Sequence, residues 1–138
     1  MMKELVLEAE VKNLPRVQEM IAAELEALGA GTVVKGRVEI AVEEIFVNIC
    51  SYAYAPGTGR AAIQVSSTAD PACVKIRFAD SGKPYNPLER PAPDLKIPLQ
   101  ERKKGGLGIH LVMKMMDDVS YAYSDGQNIL TLTKMITP

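Results

Sequence analysis

The sequence is poor in the residues that mark several common classes of protein. It has no tryptophan, two phenylalanines, a single histidine and two cysteines among 138 residues. With so few aromatic residues and a net charge of −1, we expect no direct contact with nucleic acid and no attraction to anionic lipid. A metal site made of histidine and cysteine is likewise not expected, because these residues form no cluster.

Long hydrophobic runs are also missing. No stretch approaches the roughly 18 apolar residues of a membrane span, and the charged N-terminus is unlike a signal peptide. Cys50 and Cys73 lie in apolar surroundings without a CxxC spacing, which is typical of buried, reduced thiols. We therefore expect a cytoplasmic protein that does not contact membranes.

The remaining composition is that of a globular domain. Hydrophobic residues make up 47% of the chain and charged residues 24%. A chain of this length is typical of one domain, and we expect residues 1–138 to form it.

Hydrophobic periodicity predicts a strand, two helices, two strands, a third helix and two more strands. The first strand spans 3–12, with Leu5, Leu7, Ala9 and Val11 on one face. The first helix follows Asn13 as N-cap and ends at Gly29 and Gly31. The later elements are a helix at 35–54, strands at 61–67 and 73–79, a helix at 106–116, and strands at 119–123 and 129–134. This order predicts an α+β, two-layer sandwich, with a mixed, mainly antiparallel sheet and helices on one face.

A proline-rich segment separates the fifth element from the third helix. Residues 83–104 contain five prolines and mixed charges, which predict no regular element. Long irregular segments inside small domains usually serve a function, so we interpret residues 83–105 as a mobile lid.

Three short polar segments interrupt the apolar pattern, and the first lies on the second helix. Glu44 and Asn48 are four residues apart and share one helix face. A carboxylate can accept a proton from a hydroxyl group, and an amide oxygen can bind Mg²⁺. The pair therefore fits a catalytic base and a metal ligand, although a solvated helix face would have the same composition.

The second polar segment follows the strand at 73–79. Asp80 can accept a hydrogen bond from the exocyclic amine of adenine, and Gly82 allows the backbone a close approach to the ring. An ordinary Asp-Ser-Gly turn is the alternative.

The third polar segment runs into the third helix. Lys104-Gly105-Gly106-Leu107-Gly108-Ile109 combines a positive charge, glycines and the free N–H groups of a helix start, which together form an anion site. We predict that these six residues bind the phosphates of a nucleotide. A flexible hinge before the helix is the alternative.

The three segments, in this order, resemble the sequence boxes of the GHKL (histidine-kinase-like, or Bergerat) ATPase superfamily. The similarity is closest to bacterial anti-sigma-factor serine/threonine kinases. In those proteins the adenine box continues as in Pro84-Tyr-Asn-Pro87, a strand begins as in Met116-Asp-Asp-Val-Ser-Tyr121, and the chain closes with a Gly-x-Asn as in Gly126-Gln-Asn128.

The resemblance implies that ATP and Mg²⁺ are bound and that the γ-phosphate passes to a serine of an antagonist protein. It assigns Glu44 as the catalytic base, Asn48 as the Mg²⁺ ligand, Asp80 and Gly82 as the adenine site, and Gly106 and Gly108 to the phosphates. It also implies a sigma factor as partner and a homodimer. Two alternatives stay open at this point: a nucleotide-gated binding module without phosphoryl transfer, and an ATP hydrolase of the gyrase type.

Overall fold

Five antiparallel strands form the frame of the structure. The computed structural model describes residues 2–89 and 106–136. Its strands are β1 Met2–Glu8, β2 Arg60–Ala69, β3 Ala72–Asp80, β4 Asp118–Ser124 and β5 Gln127–Met135, and its helices are α1 Leu14–Ala27, α2 Thr32–Asn48 and α3 Gly106–Met115. The strand order is β1-β2-β3-β5-β4, and every pairing between described strands is antiparallel. The sheet formed by the described residues is therefore antiparallel, in agreement with the predicted mainly antiparallel sheet.

One face of the sheet carries the core, because side chains alternate between the two faces of a strand. On β3, Val74, Ile76 and Phe78 are buried while Lys75 and Arg77 are exposed. The same face of the other strands and the inner sides of the helices complete the core, with Ile63, Val65, Leu130, Leu132, Val17, Ile21, Leu25, Val38, Val42 and Phe46. The predicted two-layer α+β sandwich, with helices on one face, is confirmed.

The first strand is shorter than predicted. It ends at Glu8, which pairs with Arg60 at the start of β2. One more backbone bond follows, from Ala9 N to Gly59 O (2.9 Å). A 3₁₀ turn at Val11–Asn13 follows. Val11 is 54% exposed, which corrects its predicted place on the apolar face of the strand.

The two long helices meet at a pair of glycines. Asn13 precedes α1 as predicted, but its side-chain amide donates to Glu8 O (2.9 Å) and makes no capping bond. Gly29, with a φ of +74°, follows the end of α1, and Gly31 is the N-cap of α2. Helix α2 begins at Thr32 and not near 35, because Gly36 is tolerated inside it.

The second helix changes its geometry before it ends. Residues Ile49–Ala53 form a π-helical turn that continues α2, where the prediction was an uninterrupted helix to residue 54. Such turns are rare and often lie at functional sites. This one brings Ile49, Tyr52 and Ala53 to the cavity described below.

A buried lysine holds the end of α3 against the sheet. Lys134, on β5, is 8% exposed, and its ammonium group donates to Met115 O (2.9 Å) and lies 3.8 Å from the Asp117 carboxylate. A cation that binds the last carbonyl groups stabilises a helix end. The contact therefore fixes α3 relative to β5.

The predicted lid lies partly outside the described residues. Its first part contains a 3₁₀ turn at Pro87–Glu89, although no regular element was expected. The turn forms because the Asn86 side chain accepts from the Leu88 amide (2.9 Å), and Leu88 packs against the core. Residues 90–105, including Lys104 and Gly105, are not among the described residues.

Two further observations bear on the predictions from composition. Cys50 and Cys73 are free thiols, as expected, but both are only half-buried, where buried thiols were predicted. Partial burial raises the pKa of Cys50 to about 11. Within the described ranges, no helix is long and apolar enough to cross a membrane.

The β4–β5 hairpin provides a test of the fold. Its turn places Asp125 and Gly126 at φ of 52° and 78°, the left-handed pair of a type I′ turn. We expect Gly126→Ala to lower the free energy of unfolding by about 1 kcal/mol, because alanine is strained at this φ. Gly36→Ala is the matched control: it lies inside α2 with nothing within 4 Å of an added Cβ, and should stabilise by about 0.5–1 kcal/mol. Urea unfolding measures both; equal effects would contradict the turn.

Candidate functional site

A cavity of about 360 Å³ lies between the end of α2, the end of β3 and the start of β5. Small-molecule sites usually occupy roughly 300–1,000 Å³. Each of the three polar segments contributes to its lining: Asn48 from the first, Asp80 from the second and Ile109 from the third. The structure thus brings together segments that are up to 61 residues apart in the sequence.

Mainly apolar side chains form the walls. The lining also includes Ile45, Ile49, Tyr52, Ala53, Phe78, Lys83, Pro84, Tyr85, Pro87, Tyr121, Asn128 and Leu130. Tyr52 and Tyr85 are 48% and 46% exposed. An apolar slot with a few polar groups and exposed rings suits a flat, heteroaromatic ligand.

Asp80 is the buried carboxylate of this cavity, only 6% exposed. It points to the core side of the sheet because it follows Val74, Ile76 and Phe78 at alternate positions of β3. Its Oδ1 accepts two hydrogen bonds, from Gly82 N (2.9 Å) and from Asn128 Nδ2 (3.0 Å). Within the described residues no hydrogen bond reaches Oδ2, so this oxygen is available to a donor in the cavity.

Asn128 is a site residue to which the sequence analysis gave no role. It lies directly opposite Asp80 in the β3–β5 pairing and is 7% exposed. The Gly126-Gln-Asn128 sequence was the available signal, but it did not reveal the partner strand. Tyr121 lies on β4 beside Asn128, and its hydroxyl donates to Asn128 Oδ1.

Gly82 allows a close approach between the second segment and the π-helical turn. A Cβ at position 82 would lie 2.2 Å from Ala53 O and 2.8 Å from Ala53 Cβ. The next amide, Lys83 N, donates to the same Ala53 O (3.0 Å). Only glycine fits here without displacing backbone, so Gly82 ties the Asp80 turn to the end of α2.

Glu44 and Gly108 bring the first and third segments together. A Cβ at position 108 would lie 1.8 Å from Glu44 Oε1 and 2.2 Å from Glu44 Cδ. The Glu44 carboxylate therefore lies against the first turn of α3, in space that only a glycine leaves open. Glu44 is half-buried and lies beside the described cavity lining, one helical turn before Asn48.

The surroundings of Glu44 favour its protonated form. Burial raises the pKa of its carboxyl group, and the neighbouring charge of Glu43 adds to the increase. Across residues 2–89 and 106–136, no hydrogen bond or ion pair to Glu44 offsets this effect. A carboxylate with a raised pKa is a better proton acceptor near neutral pH.

Asn48 contributes an uncharged polar group to the cavity. It is half-buried and lies on the same helix face as Glu44. No group of three or more histidine, cysteine or acidic residues that could hold a metal occurs in the described parts of the chain. From the described residues, a cation here would have one amide oxygen and would depend on its ligand and water for the rest, which Mg²⁺ tolerates.

The predicted phosphate site is only partly described. Gly106 and Leu107 are the first residues of α3, where free N–H groups are expected, and Gly108 and Ile109 complete the first turn. Ile109 is 1% exposed and lines the cavity. The start of α3 therefore lies at the cavity, as the third segment requires.

The apolar cavity with its buried carboxylate, and the glycine-rich start of α3 beside it, suit a ligand that combines a flat ring with anionic groups, as a nucleotide does. The sequence matches the family described as the histidine kinase-like ATPase domain over residues 7–134. The chain belongs to this family.

Two curated relatives show where within the family the similarity lies. The chain is 34% identical over 99 residues to the serine/threonine-protein kinase BtrW of Bordetella bronchiseptica, covering 72% of this chain and 69% of that protein. It is 31% identical over 103 residues to the serine-protein kinase RsbW of Bacillus cereus, covering 72% of this chain but only 62% of that protein.

Solved structures share the fold. A crystal structure of the RsbU and RsbW domains of a Mycobacterium tuberculosis protein matches with a TM-score of 0.70 and 16% identity, covering 100% of this chain and 33% of that one. A histidine kinase domain from Erythrobacter litoralis matches with a TM-score of 0.50 and 14% identity, covering 91% of this chain and 60% of that one. At these identities the likeness concerns the fold alone.

The raised pKa of Glu44 predicts a pH-dependent cost to stability. Its stabilising contribution is fully present below the ordinary pKa of a glutamate and is lost as the pH rises through the higher pKa of the folded state. We expect Glu44→Gln to be more stable than wild type at pH 7, with the difference vanishing in acid. Urea unfolding across this pH range measures it. Glu39→Gln, an exposed change on the same helix, is the control; the same pH trend in both variants would contradict the assignment.

Proposed function

We propose that the cavity binds ATP together with Mg²⁺, and that the protein transfers the γ-phosphate to a serine or threonine of a partner protein. The observation that carries this proposal is the Oδ2 of the buried Asp80, which accepts no hydrogen bond from residues 2–89 and 106–136. It belongs to the lining of a cavity to which α2 and α3 also contribute. In this proposal residues 1–138 form one domain, and the segment 83–105 closes over the nucleotide as a lid.

Asp80 and Gly82 form the adenine site. Oδ1 of Asp80 already accepts two hydrogen bonds, so the exocyclic amine of adenine donates to Oδ2. A carboxylate only accepts hydrogen bonds and would repel the carbonyl oxygen that a 6-oxopurine carries at this position. The pair of Asp80 and the apolar walls thus selects an aminopurine.

Asn48 holds the magnesium ion, and the start of α3 holds the phosphates. Mg²⁺ keeps several waters and takes most of its other ligands from the phosphates, so a single amide oxygen suffices from the protein. The phosphates are neutralised by a positive charge and by the free N–H groups of the helix start. The residues proposed for this role are Lys104, Gly105, Gly106, Leu107, Gly108 and Ile109. A magnesium ion held by Asn48 would supply positive charge beside the phosphates during transfer.

Glu44 is the catalytic base. It accepts the proton of the attacking hydroxyl group, whose oxygen forms a bond to the γ-phosphorus while the bond from that phosphorus to the bridging oxygen breaks and ADP leaves. Its raised pKa and its place between Asn48 and Gly108 support this role.

The partners are proposed from the relatives and from the sequence resemblance. BtrW and RsbW are named protein kinases, and the resemblance to anti-sigma-factor kinases implies a sigma factor that is held and an antagonist protein that is phosphorylated. A homodimer belongs to the same proposal.

Asp80→Asn tests the adenine site. Two donors fix the position of Oδ1, so the new amide must keep its oxygen there and present its NH₂ group to the amine of adenine. We expect ATP affinity to fall at least about tenfold, as for a buried donor without an acceptor. Discrimination against inosine triphosphate, which carries an oxygen at position 6, should shrink. Calorimetry measures both; unchanged ATP affinity would rule out this adenine contact.

Glu44→Gln tests the chemistry. The variant should bind ATP with near wild-type affinity but transfer label from γ-labelled ATP at least about a hundredfold more slowly, because it has lost its proton acceptor. The acceptor is the purified product of a neighbouring gene, and Glu39→Gln on the exposed side of α2 serves as the matched control. Nucleotide-dependent co-elution of wild type with that protein, without transfer of label, would instead support the binding module.

A further inference from the structure

The side chain of Asn128 joins two parts of the site that are separate in the sequence. Its Nδ2 donates to Asp80 Oδ1 (3.0 Å) and to Lys83 O (2.8 Å), and its Oδ1 accepts from Tyr85 N (3.0 Å) and from the Tyr121 hydroxyl. One buried amide thus contacts the carboxylate at the end of β3, the backbone of the segment that follows it, and β4.

This set of partners leaves the amide only one orientation. Tyr85 N and the Tyr121 hydroxyl are donors and require the oxygen, whereas Asp80 Oδ1 and Lys83 O are acceptors and require the nitrogen. A rotated amide would lose these bonds in a region where unpaired polar groups are costly. Asn128 is therefore held rigidly, and it holds its partners in turn.

The first consequence concerns Asp80. Because the Asn128 amide and Gly82 N both donate to Oδ1, the carboxylate cannot rotate without breaking two bonds, so the position of Oδ2 is fixed as well. The second consequence concerns the backbone at 83–85, which enters the proposed lid. Its carbonyl at Lys83 and its amide at Tyr85 are both attached to the same side chain.

We propose that Asn128 is a positioning residue that couples base recognition at Asp80 to the conformation of the lid stem, defined as residues 82–85. The inference rests on the proposed ATP site and adds to it. A ligand that donates a hydrogen bond to Oδ2 also affects, through Asn128, the backbone of the lid stem. An asparagine is needed here because one group must donate towards Asp80 and accept from the stem.

Asn128→Asp is the sharpest test, because it preserves shape and replaces the donor by a second carboxyl group. Among the residues that the structure describes, the titratable groups around position 128 are Asp80, Lys83, Tyr85, Tyr121 and Tyr123, with Glu89 also close to Tyr121. Two adjacent carboxylates repel each other, and at lower pH they share one proton that restores the missing donor.

We expect Asn128→Asp to bind ATP at least about tenfold more weakly than wild type at pH 8. The ratio of the two affinities should move towards one as the pH falls into the acid range, because two adjacent carboxyl groups then share a proton. Asn128→Ala should show a loss that does not change with pH. Asn86→Asp adds the same charge where the side chain already acts as an acceptor, for Leu88 N, and should show no such recovery.

Amide hydrogen exchange tests the link to the stem. In Asn128→Ala, the Tyr85 amide should exchange at least about tenfold faster because it loses its bond to Asn128 Oδ1. The Lys83 amide, which donates to Ala53 O (3.0 Å), should change less and is the internal control.

The outcomes separate the inference from the proposed function. If wild type binds no ATP, the proposed function fails, and the exchange rates alone decide whether Asn128 holds the stem. The inference is wrong if wild type binds ATP but both variants at 128 lose affinity equally at every pH. It is also wrong if Asn128→Ala increases the exchange rate of the Tyr85 amide no more than that of the Lys83 amide. In either case Asn128 only supports the fold.

Discussion

Burying the carboxylate of Asp80 at the end of β3 requires hydrogen-bond donors, because a buried charge without partners is unstable. Gly82 N and the Asn128 amide provide them, and each partner brings a different element to the cavity. Gly82 belongs to the turn that touches the end of α2, and Asn128 belongs to the neighbouring strand β5. The hydrogen bonds that satisfy Oδ1 of Asp80 thus also determine the geometry of the cavity wall that includes Oδ2.

Two glycines then allow the helices to approach this wall. Gly82 lies against Ala53, and Gly108 lies against the Glu44 carboxylate, so that a Cβ at either position would overlap its neighbour. The first approach joins the π-helical turn to the Asp80 turn, and the second joins α2 to the start of α3. Substitution differs in its consequences: at position 82 the obstacle is backbone, whereas at position 108 it is the end of a flexible side chain.

Much of this arrangement could be predicted from the sequence, because local rules determine it. Alternation along β3 gives the side of the sheet on which Asp80 lies, and helical periodicity places Glu44 and Asn48 on one face. The contact between Asp80 and Asn128 could not be predicted, because the two are 48 residues apart in the sequence and strand register depends on the packing of the whole core. The π-helical turn and the early end of β1 also depend on tertiary partners, which periodicity does not reveal.

The two carboxylates of the site illustrate why environment decides what an acidic side chain can do. Asp80 receives two hydrogen bonds and is fixed, which suits a group that recognises a ligand. Glu44 receives none from the described residues, and its burial raises the pKa of its carboxyl group, which suits a group that accepts a proton. Adding a donor beside Glu44 would stabilise its ionised form and weaken it as a base. The proposed role of Glu44 therefore also depends on Gly108, because a Cβ at position 108 would overlap the Glu44 carboxylate in its present position.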